Sequence, residues 1–278
     1  LVLVMSGNVT ERGDLSIINK WDKTDIALHF GIDLVVELPY VFASQSADLF
    51  CYGSIKLLNY LKVDKIVFGS ETDNIEVLKT LANAQLNNKS YDNKVKGYLE
   101  LGLNYPTALS KALFDITGYS VKEPNDILGI GYVREIINHN YSIEPITIKR
   151  TNNYNSLSLD SEISSASSIR EAIKNKMNIE KYVPKYALRF LEKTFFIEDY
   201  YPYLITELNE LDKYQNVDNQ IIPRIKKYIN SSNSLDELIL NIKTKNYTYN
   251  KLKRMFLQIL MSIKKEELMN IDINYIRI

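Results

Sequence analysis

The sequence predicts an α/β protein: a Rossmann-like, doubly wound parallel sheet followed by an all-α C-terminal part. Three observations predict it. Apolar, strand-like runs alternate with helical patterns over the first 70 residues. Each of those runs ends at a small-residue or proline turn, where a parallel strand would hand over to a crossover. Beyond about residue 180 the strand patterns fade and amphipathic helical stretches take over. The expected division is residues 1–180 as an α/β domain and 181–278 as a helical domain.

Leu1 to Met5 is a continuous apolar run, as a central strand buried on both faces requires. Residues 20–31 carry apolar positions at helical spacing and stop at Gly31. Residues 33–39 read as a second strand closed by Pro39, and residues 45–61 as a helix with Leu49, Tyr52, Ile55 and Leu58 on one side. Residues 64–71 form a third strand that runs into the Gly69-Ser70 turn. Residues 74–118 look helical, with breaks near Gly102 and Pro106. Pro124 and Asn125 open a helix that reaches Asn138, since proline suits a first helical turn. Residues 145–150 are a further strand, and a polar loop from Thr151 to Glu162 leads to a serine-rich turn that opens a helix. Amphipathic stretches follow at 184–195, 203–213, 220–230, 234–242 and 249–261.

Bulk composition narrows the function classes. Hydrophobic residues make up 45% and charged residues 24%, a globular mixture with zero formal net charge. The charge is unevenly spread: residues 221–278 hold 11 Lys/Arg against 5 Asp/Glu, while residues 1–180 hold 18 against 22. A basic C-terminal part points to a polyanion, and the stretch from Arg224 to Lys265 is its candidate face. Cys51 is the single cysteine, which excludes an intrachain disulfide, and its apolar setting predicts burial. His29 and His139 are the only histidines, so a zinc site is not expected. No apolar run approaches the roughly 20 residues that span a bilayer, and no signal peptide is visible, so a cytoplasmic protein without a membrane partner is expected.

In an open α/β sheet, ligands bind beyond the carboxyl ends of the strands. That rule selects four loops: Ser6–Gly13, the turn after Leu38, Gly69–Glu71, and the turn after Arg150. Ser6-Gly7 and Gly69 permit close backbone approach to a ligand. Lys149-Arg150 places two cations at a strand end, Arg offering a bidentate phosphate contact. In Ser165-Ala166-Ser167-Ser168-Ile169-Arg170 a serine caps a helix whose free N–H groups suit an anion. Arg170 opposes the helix dipole there, a conflict that an anionic ligand resolves. Simple capping explains Asn125. Trp21, flanked by Lys20 and Lys23, is expected in the core, with stacking on a base as the alternative. Asp14, Asp22, Glu37 and Glu71 stand near strand ends, and nothing in their spacing makes any of them a general base.

These blocks, taken in order, carry a resemblance. Met5-Ser6-Gly7-Asn8, Arg12-Gly13, Lys20-Trp21, Val35-Val36-Glu37-Leu38-Pro39-Tyr40, Gln45-Ser46-Ala47-Asp48-Leu49-Phe50 and Phe68-Gly69-Ser70-Glu71 are followed by Pro124-Asn125-Asp126-Ile127-Leu128-Gly129, Ile148-Lys149-Arg150, Ser165 to Arg170, and Tyr275-Ile276-Arg277. The chain resembles the bacterial tRNA(Met) cytidine acetate ligase family along essentially its whole length. The resemblance implies a nucleotidyltransferase-like HUP fold with a helical RNA-binding part. It implies that ATP, expected with Mg²⁺, activates acetate as acetyl-adenylate. The acetyl group would then pass to N4 of the wobble cytidine of elongator tRNA(Met); DNA is not expected as a partner. By position, Gly69, Asn125 and Arg150 match the family's ATP contacts, and Ser165, Ser167 and Arg170 match its phosphate-holding signature; Ser6, Gly7 and Lys149 stand beside them. Ala166 and Asn19 depart from the usual residues. The family's His-x-Gly-His motif is absent, and neither His29 nor His139 has its spacing. Because Leu1 already lies within the strand-like run, the first strand and that loop are expected upstream. Catalysis by this chain alone is therefore not expected. Two alternatives stay open: a small-metabolite adenylyltransferase of the same superfamily, and a non-catalytic RNA-binding relative.

Overall fold

The computed structural model describes residues 1–150, 165–207, 211–268, 271–273 and 276–278. The polar loop from Thr151 to Glu162, the two residues after it, and Tyr275 therefore lie outside the described residues. The first part runs β1 (Val2–Ser6), α1 (Lys20–His29), β2 (Leu34–Leu38), α2 (Tyr40–Ala43), α3 (Ala47–Tyr60), β3 (Lys65–Ser70), α4 (Ile75–Asn87), α5 (Tyr91–Glu100), α6 (Tyr105–Thr117), α7 (Pro124–Asn138) and β4 (Glu144–Lys149). It continues as α8 (Ala166–Lys174), α9 (Lys185–Leu188), α10 (Tyr201–Thr206), α11 (Ile222–Tyr228), α12 (Leu235–Ile242), α13 (Tyr249–Leu260) and α14 (Lys265–Leu268).

The expected parallel strands form as two pairs. β1 lies beside β2 with Val2 opposite Leu34 and Ser6 opposite Leu38; β3 lies beside β4 with Lys65 opposite Glu144 and Ser70 opposite Lys149. Each pair is parallel, and the two pairs meet at their carboxyl ends, where Arg12 after β1 reaches Ser167 of α8, the helix that follows β4. Between β1 and β3 is a cleft of about 740 Å³, walled by Leu1 to Val4 on one side and Asp64 to Phe68 on the other.

Residue alternation tells which side is covered. Val36 and Leu38 of β2 pack with Leu57 of α3, and Ile66 of β3 packs with Ile55, Leu58 and Ile136. The opposite side, where Lys20 of α1 bonds Glu37, is thinly covered. There Val67 is 52% and Ile148 60% exposed, and α1 buries no residue fully. Trp21 is 63% exposed on α1 rather than in the core: Tyr186 and Arg189 cover the same helix face one and two turns further on, at Asp25 and His29, and leave the Trp21 end open. Cys51 is fully buried as expected, its sulfur against Gly131 where α3 and α7 cross.

Predicted and observed helices differ where polar chemistry competes. The expected helix over 184–195 is a single turn, Lys185–Leu188. Past it, Phe195 donates its N–H to the Ile17 carbonyl at 2.9 Å, so the chain ties down the loop after β1 instead of coiling on. The break expected near Gly102 falls between α5 and α6, and Asn104 caps α6 by accepting the Thr107 N–H at 3.0 Å.

The α/β and helical parts share one apolar core. Val36, Leu38, Phe42 and Leu57 belong to the same buried cluster as Leu204, Ile221, Leu235 and Phe256. Gly13 is a second tie. It holds a left-handed φ of 81° with its Cα against the backbone of α13, where a Cβ would come within 2.4 Å of the Arg254 nitrogen. Gly13→Ala is expected to lose about 2–4 kcal/mol, from backbone strain and overpacking together. Urea unfolding checks it; a loss below 1 kcal/mol would show that this junction gives way easily.

Candidate nucleotide site at the carboxyl edge

Three clusters of polar side chains stand at the carboxyl edge. The first is built on the loop after β1. The Gly7 carbonyl accepts from the Lys23 ammonium at 2.6 Å and from the Ser16 hydroxyl at 2.9 Å, and Lys23 also reaches the Ser6 carbonyl at 2.7 Å. Burial pushes the Lys23 ammonium down to about 8, and the Glu37 carboxylate opposes that shift. Gly7 leaves no room for a side chain: a Cβ would sit 2.2 Å from Glu37 Oε1. Glu37 is itself held by Lys20 at 2.8 Å and Arg277 at 3.0 Å. Asn19 caps α1, its side-chain oxygen accepting from Trp21 and Asp22 N–H at 2.9 and 3.0 Å, as an aspartate there would.

The second cluster joins β3, α7 and β4 through two carboxylates. Asp126, 2% exposed, accepts from the Ser70 hydroxyl at 2.5 Å, from the Glu71 N–H at 3.1 Å, and from the Thr72 N–H and hydroxyl. Glu71 accepts from the Asn125 side-chain amide and from the Asp126 N–H, and Arg150 Nε approaches it at 3.8 Å. The Arg150 side chain lies across Gly69, 3.2 Å from where a Cβ would be, close enough that a side chain there would push it aside by a few tenths of an ångström. Gly69, Asn125 and Arg150 thus meet around Glu71. Lys149 ends β4 exposed, opposite Ser70.

The third cluster is the N-terminus of α8. Ser165 caps it, accepting the Ser168 N–H at 3.0 Å. Two guanidiniums converge on the Ser167 hydroxyl: Arg12 at 2.8 Å and Arg170 at 3.3 Å. Arg12 and Arg170 also wall a cleft of about 440 Å³ with Ser6 and Lys23, which links this cluster to the first. Arg12 is the site residue that sequence reasoning left unassigned; its place in the loop after β1 was the available signal. Beside it, burial pushes the Glu11 carboxyl up, with Arg254 and Arg12 acting against that shift.

Three cations that border one cleft, Arg12, Lys23 and Arg170, are an arrangement for binding anions such as phosphates. Among the described residues no group of three metal-ligating side chains accompanies it.

A cation-lined cleft at the carboxyl ends of parallel strands is a place for a phosphate-bearing ligand, and the class is given by the HIGH Nucleotidyl Transferase family model, which matches residues 1–278. Within that class the chain belongs to the tRNA(Met) cytidine acetate ligase family. It is 37% identical to the tRNA(Met) cytidine acetate ligase of Caldanaerobacter subterraneus subsp. tengcongensis, with all of this chain and 75% of that protein covered. It is 35% identical to the Mycoplasma mobile protein of the same name, over 95% of this chain and 90% of that one. A crystal structure of Thermotoga maritima TmcAL without ligand superposes with a TM-score of 0.88 at 27% identity, covering 95% of this chain and 69% of that one. Another, bound with alpha-thio ATP, gives 0.85 at 26%, covering 95% and 68%. Among the described residues, no helix is long and apolar enough to cross a membrane.

Proposed function

We propose that this protein binds ATP at the carboxyl edge and uses it to acetylate the wobble cytidine of elongator tRNA(Met). The observation that carries the reading is the convergence of Arg12 and Arg170 on Ser167 at the capped end of α8. The family names supply the substrates. An acetate oxygen attacks the α-phosphorus, pyrophosphate leaves, and acetyl-adenylate remains. The cytidine N4 amine then attacks the acetyl carbonyl, AMP leaves, and the amine gives up a proton. Arg12, Arg170 and Ser167 hold the phosphates, with Ser165 fixing the helix end. Gly69, Asn125 and Arg150 border the remainder of the nucleotide, and Ser6, Gly7 and Lys149 flank it. Glu71 and Asp126 are already spent on protein donors, so Mg²⁺ would be held chiefly by phosphate oxygens and water, as that ion tolerates.

The histidine loop of the family belongs, in this reading, to a strand outside residues 1–278. The cleft between β1 and β3 supports it, since both walls are edges of parallel strands and a further parallel strand would pair with each. A right-handed crossover from that strand to β1 runs over the side that carries α1, which is the thinly covered side. Acetate-dependent ATP–pyrophosphate exchange tests this on the chain extended upstream and on residues 1–278 in parallel. Exchange is expected in the extended form alone. Exchange at equal rates in both would remove the upstream histidines from the reaction, and none in either would point to a different acyl substrate or to a binding protein.

A further inference from the structure

A second cleft opens at the same edge, where the α/β and helical parts meet. It holds about 290 Å³ and is bordered by Gln45, Asn104, Tyr105, Gln215, Lys245 and Lys251, among others. Gln45 is 2% exposed, yet its amide nitrogen is covered and has no hydrogen-bond partner. A buried donor without a partner is destabilising in the free protein, so its retention calls for a reason. The other buried amide nearby has none of this difficulty: Gln258 donates to the Ser44 carbonyl at 2.8 Å and accepts from Asn216 at 2.8 Å. The packing at this turn can therefore satisfy a glutamine, and Gln45 stands out against it.

The rest of the wall suits one kind of ligand. Tyr105 presents an exposed ring, 53% accessible, at the mouth. Carboxamides of Asn104 and Gln215 can both donate and accept. Lys245 is exposed, and Lys251 Nζ lies 4.7 Å from the Tyr247 ring and 3.4 Å from the Asn246 carbonyl, a cation held at the rim. Arg254, also on the wall, bonds the Glu11 carboxylate at 3.0 Å and so ties this cleft to the loop that carries Arg12. An aromatic face, amide hydrogen-bonders and flanking cations together match an unstacked nucleotide of single-stranded RNA.

We propose that this cleft receives the target cytidine, with the Gln45 carboxamide turning outward so that its nitrogen donates to N3 of the base, and with Tyr105 stacking on it. The proposal rests on the reading that the protein acts on RNA. A donor facing N3 also selects the base, since cytosine has an acceptor there and uracil an N–H.

The test uses the chain extended upstream and two anticodon stem-loop RNAs, identical except for cytidine or uridine at the wobble position. Gln45→Met fills the same space without the amide. It is expected to raise the thermal midpoint by about 2–4 °C, by removing the orphan donor. It is also expected to weaken binding of the cytidine RNA roughly three- to tenfold and to erase the preference over the uridine RNA. Tyr105→Ala, at an exposed position, is expected to weaken both RNAs by about fivefold or more. A stabilised Gln45→Met protein that binds both RNAs like the parent would overturn the cleft proposal and leave the proposed function standing. A parent chain that binds neither RNA would overturn both.

Discussion

Replacing Arg170 with alanine is expected to weaken ATP binding about ten- to a hundredfold while leaving the fold intact. The side chain rises from the second turn of α8 and reaches back, with Arg12, to the Ser167 hydroxyl. A phosphate placed at this end of α8 can take charged hydrogen bonds from both guanidiniums. Hydrogen bonds to charged groups contribute about 1.5–3 kcal/mol, which sets the size of the loss. Calorimetric titration with ATP measures it, and Arg150→Ala serves as the comparison. Arg150 approaches Glu71 only at 3.8 Å, so a smaller loss is expected there. Unchanged affinity in both variants would remove both clusters from the site.

Asp126→Ala is expected to be the most destabilising of the substitutions considered, at about 3–5 kcal/mol. The carboxylate is buried at the start of α7 and accepts from the Ser70 hydroxyl, two backbone N–H groups and the Thr72 hydroxyl. Removing it leaves those donors facing a gap between β3 and α7. The Glu71 loop would lose its anchor, and Glu71 in turn holds Asn125. ATP affinity should therefore fall together with stability. Asp126→Asn keeps the shape but turns an amide donor toward donors, so an intermediate loss of about 1–3 kcal/mol is expected. Thermal unfolding of the three proteins checks the order. A loss under 1 kcal/mol for the alanine variant would mean that water replaces the carboxylate at no cost.

Asp126 also illustrates what could be read from the chain beforehand. Sequence reasoning singled out Asn125 as a cap, but α7 receives no side-chain cap bond from its N-cap residue, Glu123. The neighbouring Asp126 does the organising work, through partners 54–56 residues away. Spacing within a helix start cannot report a partner at that separation. Trp21 misled in the other direction. A lone tryptophan normally marks a core, but this one lies at the start of α1, short of the part of that face which Tyr186 and Arg189 cover. Arg12 went unassigned because its meaning depends on Ser167, which follows it by 155 residues.

Local patterns did determine a good deal. Continuous apolar runs specified parallel strands, but the expected burial of Leu1 to Met5 on both faces is not seen: none of these residues is fully buried among the described ones. Proline, asparagine and serine marked helix starts, because those residues satisfy or remove N–H groups that a first turn leaves open. The ordered blocks identified the family across the whole chain. Tertiary structure alone decided how the strands group into two pairs with a cleft between them, because edge pairing depends on which segments are neighbours in space. It also decided that Arg12 and Arg170 face one hydroxyl, that a buried carboxylate binds β3 to α7, and that Gln45 is left with an unpaired amide. Each of these is a contact between residues far apart in the chain. Periodicity and capping act within a few residues, so packing alone could bring such groups together.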